Sequence, residues 1–274
     1  MYRFLILLVP FLTATALTGC GSQPSSPTTG NRRVIFRHLD GRTITTDDLH
    51  WSNDEFRYDT VGKWNVPAEA ESLLSQARQA GSAGEYSKAI SLLDQAAQLA
   101  PDWPYPVYTK AFTYVLMKDT TNAVKHYRRT VEMSPRGFFI AITAVDALTR
   151  EENGDLPAGT FRAYVSLDWL DEEKKAAAVR LLTERVPGFA PAWKELVLLT
   201  DNDAEKLSLI EKAMALQPDA ETKGVLETNK ALVLARRGEH KNAVQLLGEL
   251  ILDPSSTIGT EHLAKVALAS LVGK

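Results

Sequence analysis

Five histidines, His38, His50, His126, His240 and His262, are the side chains best suited to hold a metal or move a proton near neutral pH. They fall on separate segments, and none has a second His or Cys at metal-ligand spacing, so no metal site is expected. The acidic pairs Asp47-Asp48, Glu151-Glu152 and Glu172-Glu173 lie near expected helix starts, where a carboxylate complements the helix dipole. His126 and His240 belong to the polar faces of expected helices and should be solvated. The sequence holds no phosphate loop, dinucleotide turn, nucleophile elbow or His-Glu-x-x-His pattern. Neither catalysis nor a cofactor is expected. One reactive group remains, the thiol of Cys20, which is the chain's single cysteine and can form no disulfide within it.

What positions Cys20 is the segment before it. Tyr2-Arg3 makes a short basic start, Phe4 to Ala16 is an apolar run, and small residues close it at Leu17-Thr18-Gly19-Cys20. That is the layout of a signal peptide, and the run is shorter than the roughly 20 residues a membrane-spanning helix needs. Leu17-Thr18-Gly19-Cys20 resembles the lipobox of bacterial lipoproteins. The resemblance implies that the Cys20 thiol takes a diacylglyceryl group and that cleavage makes Cys20 the first residue of the mature protein. Loss of residues 1–19 removes Arg3 and no acid, taking the formal charge from −3 to −4. By resemblance to bacterial sorting rules, Gly21 after the lipidated Cys signals no inner-membrane retention. That implies the periplasmic face of the outer membrane in a Gram-negative host, and otherwise the outer face of the cell membrane. Residues 21–31, GSQPSSPTTGN, lack any large apolar side chain and read as a tether, with an end-to-end distance of roughly 18 Å.

The remainder has an ordinary globular composition, 45% hydrophobic and 24% charged. It carries no basic block that would track a phosphate backbone, so nucleic acid is not an expected partner. From Arg33 the pattern is extended: Val34, Phe36 and His38 alternate with Ile35, Arg37 and Leu39, then Asp40-Gly41, then Arg42 to Thr46. Asp-Gly between β-rich runs predicts a hairpin over 33–46. Residues 55–59 and 63–66 suggest a second ribbon around Gly62, and the aromatics of 32–66 are expected to pack on the first helices as a cap.

The dominant signal is a repeat. Gly84-x-Tyr86-x-x-Ala89-x-x-x-Leu93-x-x-Ala96-x4-Pro101 is followed by Ala123-x-x-x-Tyr127-x-x-Thr130-x4-Pro135, so Ala89 to Ala123 and Pro101 to Pro135 are both 34 residues apart. Ala77 and Ala111 repeat at the same interval. Small residues let paired helices approach, Gly84 suits a left-handed turn, and each Pro stops a helix. These positions resemble the tetratricopeptide (TPR) consensus. Residues 224–254 give a third match through Ala231, Leu234, Gly238, Ala243, Leu247 and Pro254, and 192–218 a shortened one with Lys206 where Ala is usual. Helices are expected near 137–150, 158–169 and 171–186, where the spacing is irregular and the array bends. Residues 259–271 read as a capping helix. The expected fold is mainly all-α: a TPR-type solenoid of about five to six helix pairs, irregular in the middle, with a small N-terminal β-hairpin module. The domain division is 1–19 signal, 20–31 lipidated Cys and tether, 32–66 β module and 67–274 helical repeats.

The family resemblance implies that the first helix of each unit lines a concave face, here through Tyr105, Tyr108, Phe112, Val115 and Leu116, with Leu74 and Arg78 before them and Phe139, Ile142, Asp146 and Arg150 after. The candidate partner-binding groove is Arg78, Tyr105, Tyr108, Phe112, Phe139 and Arg150. An apolar strip flanked by Arg suits an amphipathic helix or an extended peptide with an acidic edge. Aromatic residues at helical spacing also serve as core, and the β module could fold onto this strip, so open groove and covered strip stand as two readings. Leu74 and Arg78 occupy positions where the carboxylate clamp of chaperone-binding TPR proteins has Lys and Asn, which disfavours that function. The expected function is a membrane-tethered scaffold for envelope proteins or peptides; the alternative is an enzyme or glycan-processing accessory with its site in 137–187.

Overall fold

The computed structural model describes residues 33–37, 57–61 and 64–272. The signal segment, Cys20 and the tether lie outside them. The described residues form two short strands, β1 (Arg33–Arg37) and β2 (Arg57–Val61), and twelve α-helices. The helices are α1 (Ala68–Ser82), α2 (Tyr86–Leu99), α3 (Pro104–Leu116), α4 (Thr120–Met133), α5 (Ala141–Glu152), α6 (Thr160–Ser166), α7 (Glu172–Arg185), α8 (Ala190–Leu198), α9 (Asp203–Ala215), α10 (Ala220–Arg236), α11 (His240–Leu252) and α12 (Ile258–Val272). A 3-10 turn, Leu167–Trp169, follows α6.

The 34-residue period becomes geometry at the helix contacts. Ala77, Ala89, Ala96, Ala111 and Ala123 are all buried, so α1 meets α2 and α3 meets α4 across methyl groups, with Leu93 and Tyr127 filling the space beside them. The turn within each pair also repeats. Glu85 N–H donates to the Ala80 carbonyl at 2.8 Å, Asp119 N–H to Tyr114 at 2.9 Å, and Glu239 N–H to Leu234 at 2.9 Å. This six-residue closure needs a left-handed residue just inside it, supplied by Gly84 (φ 78°), Lys118 (φ 62°) and Gly238 (φ 84°). Only Lys118 lacks the freedom of glycine there, a strain the sequence does not advertise.

The expected hairpin over 33–46 is not what β1 forms. Its described partner is β2, antiparallel in the register Arg33 to Val61 through Arg37 to Arg57, while Asp40-Gly41 and 42–46 lie outside the described residues. The second ribbon is also corrected, because 57–61 pairs with β1 and Trp64–Pro67 has no regular structure. The register places Val34 opposite Thr60 and Phe36 opposite Tyr58, a pairing across some twenty residues that the local Asp-Gly signal does not reveal. β1 lies against α12, while Trp64, another of the aromatics expected to cap the first helices, packs on the α1–α2 core.

The middle is irregular for a local reason. Glu151, on the last turn of α5, turns its carboxylate to the Gly159 and Phe161 N–H groups, each at 2.6 Å, and caps the short α6. It therefore serves a following helix rather than the start of its own, whereas Glu172 and Glu173 do lie in the first turn of α7. Lys206, at the usual Ala position, is not displaced by crowding but wholly buried, and burial and the nearby Arg236 push its pKa down.

The C-terminal helices return to the N-terminal half. The Ile258 N–H donates to the Arg136 carbonyl at 2.7 Å, and the Arg136 guanidinium donates to the Ser256 carbonyl and pairs with Glu261. α10 and α12 touch so closely that a β-carbon on Gly224 would stand 1.9 Å from Thr260 Oγ1. Gly224→Ala is therefore expected to lower stability by about 1–3 kcal/mol through overpacking, read as a shift in the urea midpoint. Lys118→Gly should raise it by up to about 1 kcal/mol by relieving the left-handed turn. An unchanged midpoint for Gly224→Ala would contradict the close crossing.

Candidate partner-binding groove

α3 places Tyr105, Tyr108 and Phe112 on one stripe, and the link into α5 brings Phe138 and Phe139 against it. Tyr105 stands edge-on to Phe138 and Phe139 at centroid distances of 5.0 and 5.1 Å, and the Arg78 guanidinium lies 5.4 Å from its ring centre. Tyr108 packs on Tyr127 (5.5 Å), Phe138 (5.5 Å) and Phe139 (5.1 Å). Trp64 closes over Phe138 at 6.1 Å, and Leu74 belongs to the core. Arg78, Tyr105, Tyr108 and Phe139 thus form one half-buried cluster.

Phe112, one turn beyond Tyr108 on α3, meets Trp169 edge-on at 6.3 Å. Arg150 is elsewhere again, donating to the Gly188 carbonyl at 3.0 Å and standing 3.6 Å from Asp146. The strip therefore divides. Its Tyr108 end is covered by the 134–143 segment and by the start of α10, and burial raises the Tyr108 phenol well above its usual pKa with Glu221 adding to the shift. A different segment from the expected β module supplies most of that cover.

The cover is held by acids. Asp219 caps α10, accepting from the Glu221 and Thr222 N–H groups at 3.0 and 3.1 Å. Glu221, buried, accepts from the Thr143 N–H at 2.9 Å and the Ile142 N–H at 3.3 Å, in the first turn of α5. The Thr143 hydroxyl lies 2.8 Å from Asp219 Oδ1 and 3.0 Å from Glu221 Oε2, but it has one proton to give. A proton retained on Glu221 satisfies both contacts. Burial, then the Asp219 charge, push the Glu221 pKa up to about 8 against the opposing hydrogen bonds from Thr143 and Ile142.

A second buried network occupies the irregular region. Tyr164 O–H donates to Glu195 at 3.2 Å, Lys194 donates to the Tyr164 oxygen at 2.8 Å, and Lys194 and Lys175 both pair with Glu195. Burial disfavours the Lys194 ammonium, but the charges of Glu195 and Tyr164 and the hydrogen bonds to both together outweigh it and raise its pKa well above the usual lysine value. Beside this region Leu116, Gly159, Arg162, Ala163, Ser166 and Trp169 line a cavity of about 310 Å³. Its lining offers one guanidinium and one hydroxyl. Sequence reasoning missed Arg162 and Trp169 because the α3–α6 contact has no repeat period to reveal it.

His126 is not solvated as expected: it is half-buried and stacked on Tyr114 at 5.4 Å, and burial followed by repulsion from Lys110 lowers its pKa to about 4. His240 is exposed. Among the described residues no group of His, Cys, Asp and Glu could hold a metal ion, and no helix is long and apolar enough to cross a membrane.

No family model matches this chain, and no curated protein is similar to it. Among solved structures it is similar to MamA from Desulfovibrio magneticus RS-1, at 15% identity over 67% of this chain and 94% of that one, with a TM-score of 0.33. TTC0263, a thermophilic TPR protein of Thermus thermophilus, is 16% identical over 73% and 98%, with a TM-score of 0.31. The flexible tandem repeat domain of a bacterial cellulose synthase is 17% identical over 72% and 98%, with a TM-score of 0.46. Likeness at that level carries no functional weight. The period, the alanine contacts and the recurring left-handed turns themselves define a helical-repeat protein built of paired helices.

The pH dependence of stability follows from two shifts. Folded Glu221 holds its proton to about pH 8 while the unfolded chain releases it near 4.5, so stability falls as pH rises through that window. His126 acts in the opposite sense, its contribution being lost as pH falls from 6.5 toward 4. Between pH 6.5 and 8 Glu221 acts without His126. Chemical denaturation should show a decline of about 2 kcal/mol across that interval, flattened in Glu221→Gln. An equal decline in both proteins would remove Glu221 as the cause.

Proposed function

We propose that this protein is a lipid-anchored scaffold of the bacterial cell envelope that holds a partner protein or peptide on the concave face of its helical repeats. The anchor is Cys20, and the tether keeps the repeats close to the membrane surface. The membrane is the periplasmic face of the outer membrane in a Gram-negative host, and otherwise the outer face of the cell membrane. The observation that carries the binding role is the half-buried edge of Tyr105 and Phe139 beneath Arg78, where aromatic faces and a cation meet on one surface. Aromatic and Arg side chains in that setting dominate binding at protein interfaces. Phe112 extends the same face toward Trp169. Tyr108 supports the face through the aromatic cluster, while Arg150 lies apart and donates to the Gly188 carbonyl.

The scaffold reading is tested by cross-linking in cells followed by mass spectrometry. Tyr105→Ser combined with Arg78→Glu is expected to remove most captured partners while the protein remains folded and membrane-bound. Capture that is unaltered in the double variant would exclude this face. For the anchor, Cys20→Ser should abolish acylation and release the chain from membranes; a variant that stays acylated and fractionates with membranes would sink the lipobox reading.

A further inference from the structure

The cavity between α3 and α6 lies outside the helix-pair pattern, and its surroundings are unlike the rest of the surface. Trp169 is 47% exposed, and the residues next to two lining positions, Met117 and Leu170, are 41% and 38% exposed. Trp169 thus gives the lining a large exposed apolar side chain, with exposed apolar residues next to it and to Leu116 in the chain. Arg162 stands in the lining, half-buried, and among the described residues its guanidinium forms no ion pair. Arg136, Arg150 and Arg236, by contrast, pair with Glu261, Asp146 and Asp203.

The mouth is built rather than incidental. Glu151 fixes the start of α6 through the Gly159 and Phe161 N–H groups, which sets the turn that carries Arg162. Ser166 donates to the Arg162 carbonyl at 2.7 Å, and Phe112 braces Trp169 edge-on. At about 310 Å³ the space is at the small end of ligand pockets, room for a large side chain and a carboxylate but not for a folded element. A guanidinium with open donors beside apolar walls is complementary to a carboxylate adjoining an apolar group.

We propose that this cavity binds a partner's short acidic–apolar peptide, one large apolar side chain entering between Leu116, Ala163 and Trp169 while a neighbouring carboxylate pairs with Arg162. The assignment rests on the scaffold reading and names its partner's chemistry at the Phe112 end of the concave face. The site differs from a carboxylate clamp in using a helix inserted outside the repeats.

The test pans a random-peptide phage library on the full mature chain in detergent micelles, then measures anisotropy of the leading peptide, made with a fluorescein label. The expected enrichment is Asp, Glu or a free C-terminus within about two residues of Phe, Leu, Ile or Trp. Arg162→Gln and Trp169→Ala should each weaken the labelled peptide roughly tenfold or more, and Arg162→Lys less than Arg162→Gln. Amidating the peptide C-terminus, or changing its acid to the amide, identifies which carboxylate Arg162 takes. Thermal melts of each variant establish that the fold is retained. Basic or uncharged consensus peptides, binding indifferent to both substitutions, or no enrichment would each overturn the cavity assignment. The scaffold reading is judged separately, by the in-cell cross-linking, so the two can fail independently.

Discussion

Glu221 lies on α10, yet its carboxyl group completes the first turn of α5, accepting N–H groups from a helix 78 residues earlier in the chain. Burying such a group is tolerable only while the donors stay in place, because an unpartnered carboxyl in a low-dielectric interior costs several times what one hydrogen bond returns. The same few residues carry Asp219 onto the Thr143 hydroxyl and, through Gly137, bring Arg136 to the Ser256 carbonyl. Opening any of these contacts exposes the others. The C-terminal helices thus return onto the α4–α5 link and α5.

That cover divides the aromatic stripe of α3. Tyr108, half-buried, packs on Tyr127, Phe138 and Phe139. Tyr105 and Phe139 keep one edge accessible under Arg78, and Phe112 turns toward Trp169 at the mouth of the α6 cavity. In the irregular 137–187 stretch α6 and α7 follow α5, and α10 further along comes back against α5.

Charge in this protein is used mainly for fastening. The Lys175, Lys194, Glu195 and Tyr164 network, the Asp219 and Glu221 pair, and the Arg136 to Glu261 bridge all join segments distant in sequence. Buried ion pairs add little net stability against apolar replacements but penalise alternative arrangements strongly, since a misplaced partner leaves a bare charge. Such groups suit a helical array whose helices are otherwise held by interchangeable alanine and leucine contacts.

The 34-residue interval, the small residues at Ala77, Ala89, Ala111 and Ala123, and the glycine turns were determined by sequence alone. They report contacts between near neighbours, which recur wherever the local pattern recurs. Sequence also carried the apolar leader ending in Cys20 and the aromatic character of α3. It misdirected the β region, because the Asp-Gly turn signal is local whereas the pairing of β1 with β2 spans about twenty residues. It could not place Arg162, Trp169 or Glu221, nor show that Tyr108 and Phe112 face different surroundings. Those outcomes depend on contacts between segments tens of residues apart, for which no period exists, and on desolvation that arises only when the helices close on one another.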